Sequence, residues 1–166
     1  MLSSSPRQSD SSKSYARTEA ARLRLVAVVE EMRRRRGGLM DFIPRVARGY
    51  TRPEHLAPVA SIFERAFAGE PVFACVSVPP RHGKTEMVLA AIAWWLSRRP
   101  EDALGFVSYA SSFAESKSSR GRDYATAAGV QLHPSRNTLS EWRTTEGGGL
   151  LATGIGRPLT GQGARP

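Results

Sequence analysis

Apolar positions along this chain recur first at helical spacing and then in solid runs. Leu25, Val28, Val29 and Met32 fall at i, i+3, i+4 and i+7, which predicts a helix over about Ala16 to Arg36 with a basic outer face. Leu39 to Val46 predicts a second helix and Tyr50-Thr51-Arg52-Pro53 a break. His55 to Ala68 predicts a third helix, with Leu56, Val59, Ile62, Phe63 and Phe67 on its apolar side and Gly69 as its stop. Val72 to Val78 is apolar on both faces apart from Ser77, the pattern of a central buried strand, and Pro79 and Pro80 close it. Lys84 to Ser97 predicts a deeply packed helix, because Met87 to Leu96 is apolar nearly all round; Trp94 and Trp95 read as core or helix–sheet contacts. A second strand is expected over Leu104 to Tyr109, and Ser111 or Ser112 is expected to cap a helix reaching about Ala128. Strand, helix, strand, helix in that order predicts a parallel α/β sheet. Thr138 to Thr145 and Leu150 to Thr153, around Glu146-Gly147-Gly148-Gly149, predict a hairpin ahead of a glycine-rich tail, Gly154 to Gly163.

Composition adds three constraints. With 166 residues the chain suits one domain, and 40 % hydrophobic content is slightly low, so part of it is expected outside the core. Residues 1–14 are Ser-rich and read as disordered. No apolar run is long enough to span a bilayer and no signal-peptide stretch opens the chain, so a soluble intracellular protein is expected. The single cysteine, Cys75, excludes an internal disulfide and a cysteine metal cluster; its place in the apolar run predicts a buried, inert thiol.

The net charge of +9 is uneven. Residues 1–50 hold eleven Lys/Arg against five Asp/Glu, and residues 51–166 thirteen against ten. Arg33, Arg34, Arg35 and Arg36 lie at the centre of the excess. Such a run suits a polyanion, DNA or RNA. It equally suits a solvated helix end stopped by Gly37-Gly38. His55 reads as a capping or packing residue.

The candidate chemistry lies where the run Val72 to Val78 meets Pro79-Pro80-Arg81-His82-Gly83-Lys84-Thr85. Amides at a turn and a helix N-terminus form an anion site. Gly83 lets the backbone approach closely, Lys84 supplies a cation for the β/γ-phosphates, and the Thr85 hydroxyl suits Mg²⁺. Arg81 can neutralise a γ-phosphate or pair with a neighbouring acid; His82 reads as a spacer. Only Gly83, Lys84 and Thr85 match the usual phosphate loop, since its first glycine position is Val78 here. Hydrolysis further needs a carboxylate at the tip of another strand. None follows the loop: Glu115, Asp123, Glu141 and Glu146 fall on a helix or at the hairpin.

Pro79 to Thr85 resembles the variant phosphate loop of tailed-phage terminase large subunits, the ATPases that package DNA into proheads. The resemblance runs through His55-Leu56 and the helix to Gly69-Glu70, Val107-Ser108-Tyr109, and Glu141-Trp142-Arg143-Thr144 with Gly147 to Gly149. It continues through Gly154-Ile155-Gly156 and Leu159-Thr160-Gly161-Gln162-Gly163-Ala164. It implies a partial P-loop NTPase domain over 39–166, a parallel sheet with flanking helices, behind a basic leader over 1–38 that carries a helix. It implies ATP and Mg²⁺ as cofactors, with Pro80, Arg81, His82, Gly83, Lys84 and Thr85 on the nucleotide. Arg81 senses the γ-phosphate, Thr85 holds the metal, and Tyr50 and His55 line an adenine pocket. It implies double-stranded DNA, portal protein and the terminase small subunit as partners, no membrane, and a bacterial host cytoplasm as the location. In the family Gly-Ala is followed by an acidic residue and an apolar strand ending in paired aspartates; here Arg165-Pro166 follows. The resemblance therefore implies an amino-terminal piece, without the metal carboxylate and inactive in hydrolysis by itself. Two other readings use the same residues: a helicase-like or small-kinase P-loop protein, and a basic nucleic-acid-binding remnant with a vestigial loop.

Overall fold

A computed structural model describes residues 19–25, 28 and 37–156. The chain divides into two compact units, residues 1–36 and 37–166. In the first, residues 19–25 and 28 are helical, with Leu23, Leu25 and Val28 exposed. Val29 and Met32 of the expected stripe, the Ser-rich start, Arg33 to Arg36 and the tail beyond Gly156 lie outside the described residues.

The second unit begins with α1 (Leu39–Val46), whose Leu39, Phe42, Ile43 and Val46 are buried at helical spacing. A 3-10 turn, Glu54–Leu56, leads into α2 (Ala57–Phe67), and Gly69 ends the segment at φ +94°. No side chain caps α1; Glu64 of α2 supplies the acceptor instead, its Oε1 taking the Leu39 N–H at 2.7 Å. Next comes α3 (Lys84–Leu96), buried from Met87 to Leu96 at every position but Val88 and Trp95. It packs against α1, α2 and α4 (Ser111–Ala127). The Trp95 indole donates to Asp102 at 2.7 Å and pins the end of α3 to the start of β1 (Ala103–Ser108). Ala110, not a serine, stands at the N-cap of α4. Ser111 Oγ instead accepts the Gly154 N–H at 3.2 Å.

After α4 come β2 (Leu132–Asn137), β3 (Glu141–Thr144) and β4 (Gly149–Gly154). The sheet order is β1-β4-β3-β2. β4 runs parallel to β1, with Phe106 beside Ala152, and antiparallel to β3, with Trp142 beside Leu150. The sheet is thus mixed where a parallel one was expected, because the four-residue connection at Thr145 to Gly148 reverses the chain after β3. Close approach makes that turn glycine-rich: a Cβ on Gly148 would overlap the carbonyls of Pro100 and Asp102. Trp142, Leu150 and Ala152 form the buried face, and the Trp142 indole donates to Ser118 Oγ of α4 at 3.2 Å.

The expected central strand Val72–Val78 is not formed. The segment is unpaired, its backbone from Val72 to Ser77 makes no hydrogen bond to the described residues, and Phe73 is 100 % exposed. Cys75 is exposed too, not buried. A strand needs neighbours on its edges, and β4 occupies one edge of β1 while a cavity lies along the other. Among the described residues no helix is long and apolar enough to cross a membrane.

Candidate functional site

Two left-handed residues shape the loop ahead of α3: Arg81 at φ +64° and Gly83 at φ +77°. Glycine is required at the second, because a Cβ there would overlap the Tyr50 hydroxyl, which donates to Gly83 O at 3.3 Å. Arg81 adopts its conformation with a full side chain, at a local backbone cost, and is exposed on the wall of the cleft described below.

Histidines brace the turn. His82 Nδ1 lies 2.9 Å from Pro80 O, and His55 Nε2 lies 3.0 Å from His82 O. Carbonyl oxygens only accept, so both ring nitrogens carry the hydrogen. The two rings meet edge to face at 5.9 Å. His55, read from the sequence as capping or packing, thus ties the segment before α2 to the loop, and His82 is a brace as well as a spacer.

Lys84 and Thr85 open α3. Its first N–H groups have no side-chain cap, and Met87 is the first to bond back, to Gly83 O at 2.9 Å. Lys84 Nζ donates to Val78 O at 3.0 Å, across the mouth of the loop. The bond is exposed, so turning the ammonium toward another acceptor costs little.

A cleft of about 600 Å³ lies beside this turn. Tyr50, Pro53 and His55 form one wall, and Arg81, Lys84 and Thr85 the other. Burial, and then the charge of Glu86, hold the Tyr50 phenol above its ordinary pKa, so it stays a neutral donor. The structure therefore brings together Arg81, His82, Gly83, Lys84 and Thr85 with Tyr50 and His55; Pro80 contributes its carbonyl to the brace and does not line the cleft.

One functional-looking cluster was missed by sequence reasoning. Glu86, the only acid on the cleft among the described residues, has both oxygens bonded from α4: Arg120 Nη1 at 2.8 Å and Tyr124 Oη at 2.5 Å. Burial, then the Glu86 bond and charge, push the Tyr124 phenol up to about 12, against the opposing pull of Arg120. The signal in the sequence was the i, i+4 spacing of Arg120 and Tyr124 on one helix face, with nothing to say which acid they meet.

Chemically, the site suits an anion with a ring attached. The uncapped start of α3, Arg81 and Lys84 line the cleft together with the rings of Tyr50 and His55, which bond to the carbonyls of the loop. A metal fits less well: among the described residues no three His, Cys, Asp or Glu side chains converge, and Thr85 contributes one hydroxyl. No family model matches the chain, and comparison with curated proteins and with solved structures gave no match.

Proposed function

We propose that this chain binds a nucleoside triphosphate, its phosphates at the N-terminus of α3 and its base against Tyr50 and His55. One observation carries the reading: the cleft in which Arg81, Lys84 and the uncapped start of α3 face those two rings. The helix half of the strand–loop–helix context is present, and the strand half, Val72–Val78, is not. The support is therefore the cleft and its charges rather than a complete P-loop architecture. The resemblance to terminase large subunits extends the proposal to the ATP-binding part of a DNA-packaging motor, with double-stranded DNA, portal protein and small terminase subunit as partners.

Mg²⁺ would be held by Thr85 Oγ1 and the phosphates themselves, and its chemistry would be charge neutralisation. Arg81 lines the same cleft and would balance a γ-phosphate. Glu86 is neutralised by Arg120 and so does not repel the polyanion; with both oxygens engaged it is not available as a base.

A fluorescent ATP analogue titrated into the full chain tests the reading. Saturable binding that weakens about 30-fold in Lys84→Ala, the equivalent of losing a charged hydrogen bond of roughly 2 kcal/mol, supports it. No binding by the wild type, or equal binding by Lys84→Ala, rejects it in favour of a basic polynucleotide-binding protein with a vestigial loop. Phosphate release above background that Lys84→Ala abolishes would show a catalytic carboxylate other than Glu86, the acid that lines the cleft among the described residues.

A further inference from the structure

The cleft beside the loop is short of positive charge for the ligand proposed for it. Among the described residues that line it, Arg81 and Lys84 are the cations with no carboxylate partner. Arg52 is held by Asp41 of α1 and Glu54 of the 3-10 turn, so that group adds no positive charge. Glu86 is balanced by Arg120 of α4, and the Tyr50 phenol stays neutral. A triphosphate brings more negative charge than two cations offset.

His55 and His82 are placed to supply the difference. Both line the cleft and both are exposed. Each ring spends one nitrogen on a carbonyl, His82 Nδ1 on Pro80 O and His55 Nε2 on His82 O. The N–H used there is present in the neutral ring and in the cation alike. The second nitrogen, Nε2 of His82 and Nδ1 of His55, has no hydrogen bond to the described residues. A proton added to it leaves both braces in place. It turns a lone pair, which repels phosphate oxygens, into a charged donor, which binds them. The ring centres are 5.9 Å apart. Two positive rings this close repel, and an anion beside them offsets the repulsion.

From this geometry we infer that the cleft takes up its anion together with about one proton, carried by the His55–His82 pair. The inference rests on the nucleotide reading of the cleft and makes its affinity pH-dependent. The sign follows from linkage. A polyanion prefers the charged form of the pair, so binding tightens as pH falls through the range where histidine changes charge, and weakens above it. The acids around the rings are engaged, Glu54 and Asp41 by Arg52, and Glu86 by Arg120 and Tyr124. Lysine, arginine and carboxylate side chains ordinarily change charge outside that range, so the dependence falls to the two rings.

Calorimetric titration of ATP into the full chain at pH 7, in two buffers of different ionisation heat, counts the protons taken up. The control carries His55→Gln and His82→Gln, because glutamine keeps an N–H for each carbonyl and does not titrate. Proton uptake by ATP itself is common to both proteins and cancels. The wild type is expected to take up about one proton more per ATP than the control, and to gain about 30-fold more affinity between pH 8 and pH 6. A second measurement needs no variant to fold. The chain has three histidines. In the wild type ATP is expected to move two of the three ring titrations, followed by NMR, upward by about one pH unit. The third, His133 on β2, does not line the cleft and is expected to stay unmoved. Equal proton uptake by the two proteins, or ring titrations that ATP leaves in place, overturns the inference while the nucleotide reading stands. No binding of ATP by the wild type at any pH from 6 to 8 overturns both.

Discussion

Replacing Gly83 by Ala tests the contact that joins the two walls of the cleft. Gly83 sits at φ +77°, where an L-residue is disfavoured by about 1–2 kcal/mol. Alanine recovers part of this, roughly 0.4–1 kcal/mol, by restricting the unfolded chain. The larger effect is steric: the new methyl meets the Tyr50 hydroxyl and the ring carbon that bears it. Tyr50 must swing out, losing its bond to Gly83 O, about 1 kcal/mol, and part of its packing on the core, about another 1 kcal/mol. Gly83→Ala is therefore expected to destabilise by about 2–3 kcal/mol, read as a lower urea midpoint at unchanged slope. In a Tyr50→Ala background only the backbone cost remains, so the same substitution is expected to cost about 1 kcal/mol. The coupling between the sites, roughly 1–2 kcal/mol, is the signature of the contact. Equal costs in both backgrounds would refute the reasoning, since they would place the Tyr50 ring away from Gly83 in solution.

Other outcomes follow from the same structure. Trp142→Ala removes a fully buried indole and its bond to Ser118, and is expected to cost about 3–5 kcal/mol in the same urea titration. Tyr124 has a phenol raised from 10.0 to about 12, so its stabilising share is complete below pH 10 and is lost as pH rises toward 12; the alkaline loss of stability is expected to be shallower in Tyr124→Phe. Arg120→Ala leaves the Glu86 charge facing the anion site and is expected to weaken nucleotide binding about threefold at low salt, with Glu86→Gln restoring it. Cys75 is expected to react with a thiol reagent in the native protein without denaturant; protection until unfolding would mean that Val72–Val78 is a buried strand after all.

Much of the helical architecture was legible because burial on a helix leaves a local trace. Leu39 to Val46 and Lys84 to Leu96 were bounded by Gly38, Gly83 and Ser97, and their apolar positions alone fixed them. The hairpin of β3 and β4 was legible through Gly147 to Gly149; a Cβ on Gly148 would meet the carbonyls of Pro100 and Asp102, and one on Gly149 the carbonyl of Trp142. β2 was not, because Pro134 and Arg136 are read against a strand unless its position at a sheet edge is known, and that depends on partners in space. Val72–Val78 failed in the opposite direction. Its composition suits a strand, but pairing is a property of the neighbour, and the described residues offer none. At the site, Gly83, Lys84 and Thr85 could be named from spacing, whereas the His55–His82 brace and the Glu86 cluster join residues 27 to 38 positions apart, which no local pattern encodes.

Lys84 and Thr85 belong to two cavities at once, the cleft by the loop and the slot beside β1. An occupant on one side that turns the ammonium would change what the other side offers, so the two cavities would be coupled through it. Thermodynamic reciprocity then makes the exchange even-handed: whatever factor an anion in the cleft imposes on affinity in the slot, filling the slot returns to the anion, in the same sense and size.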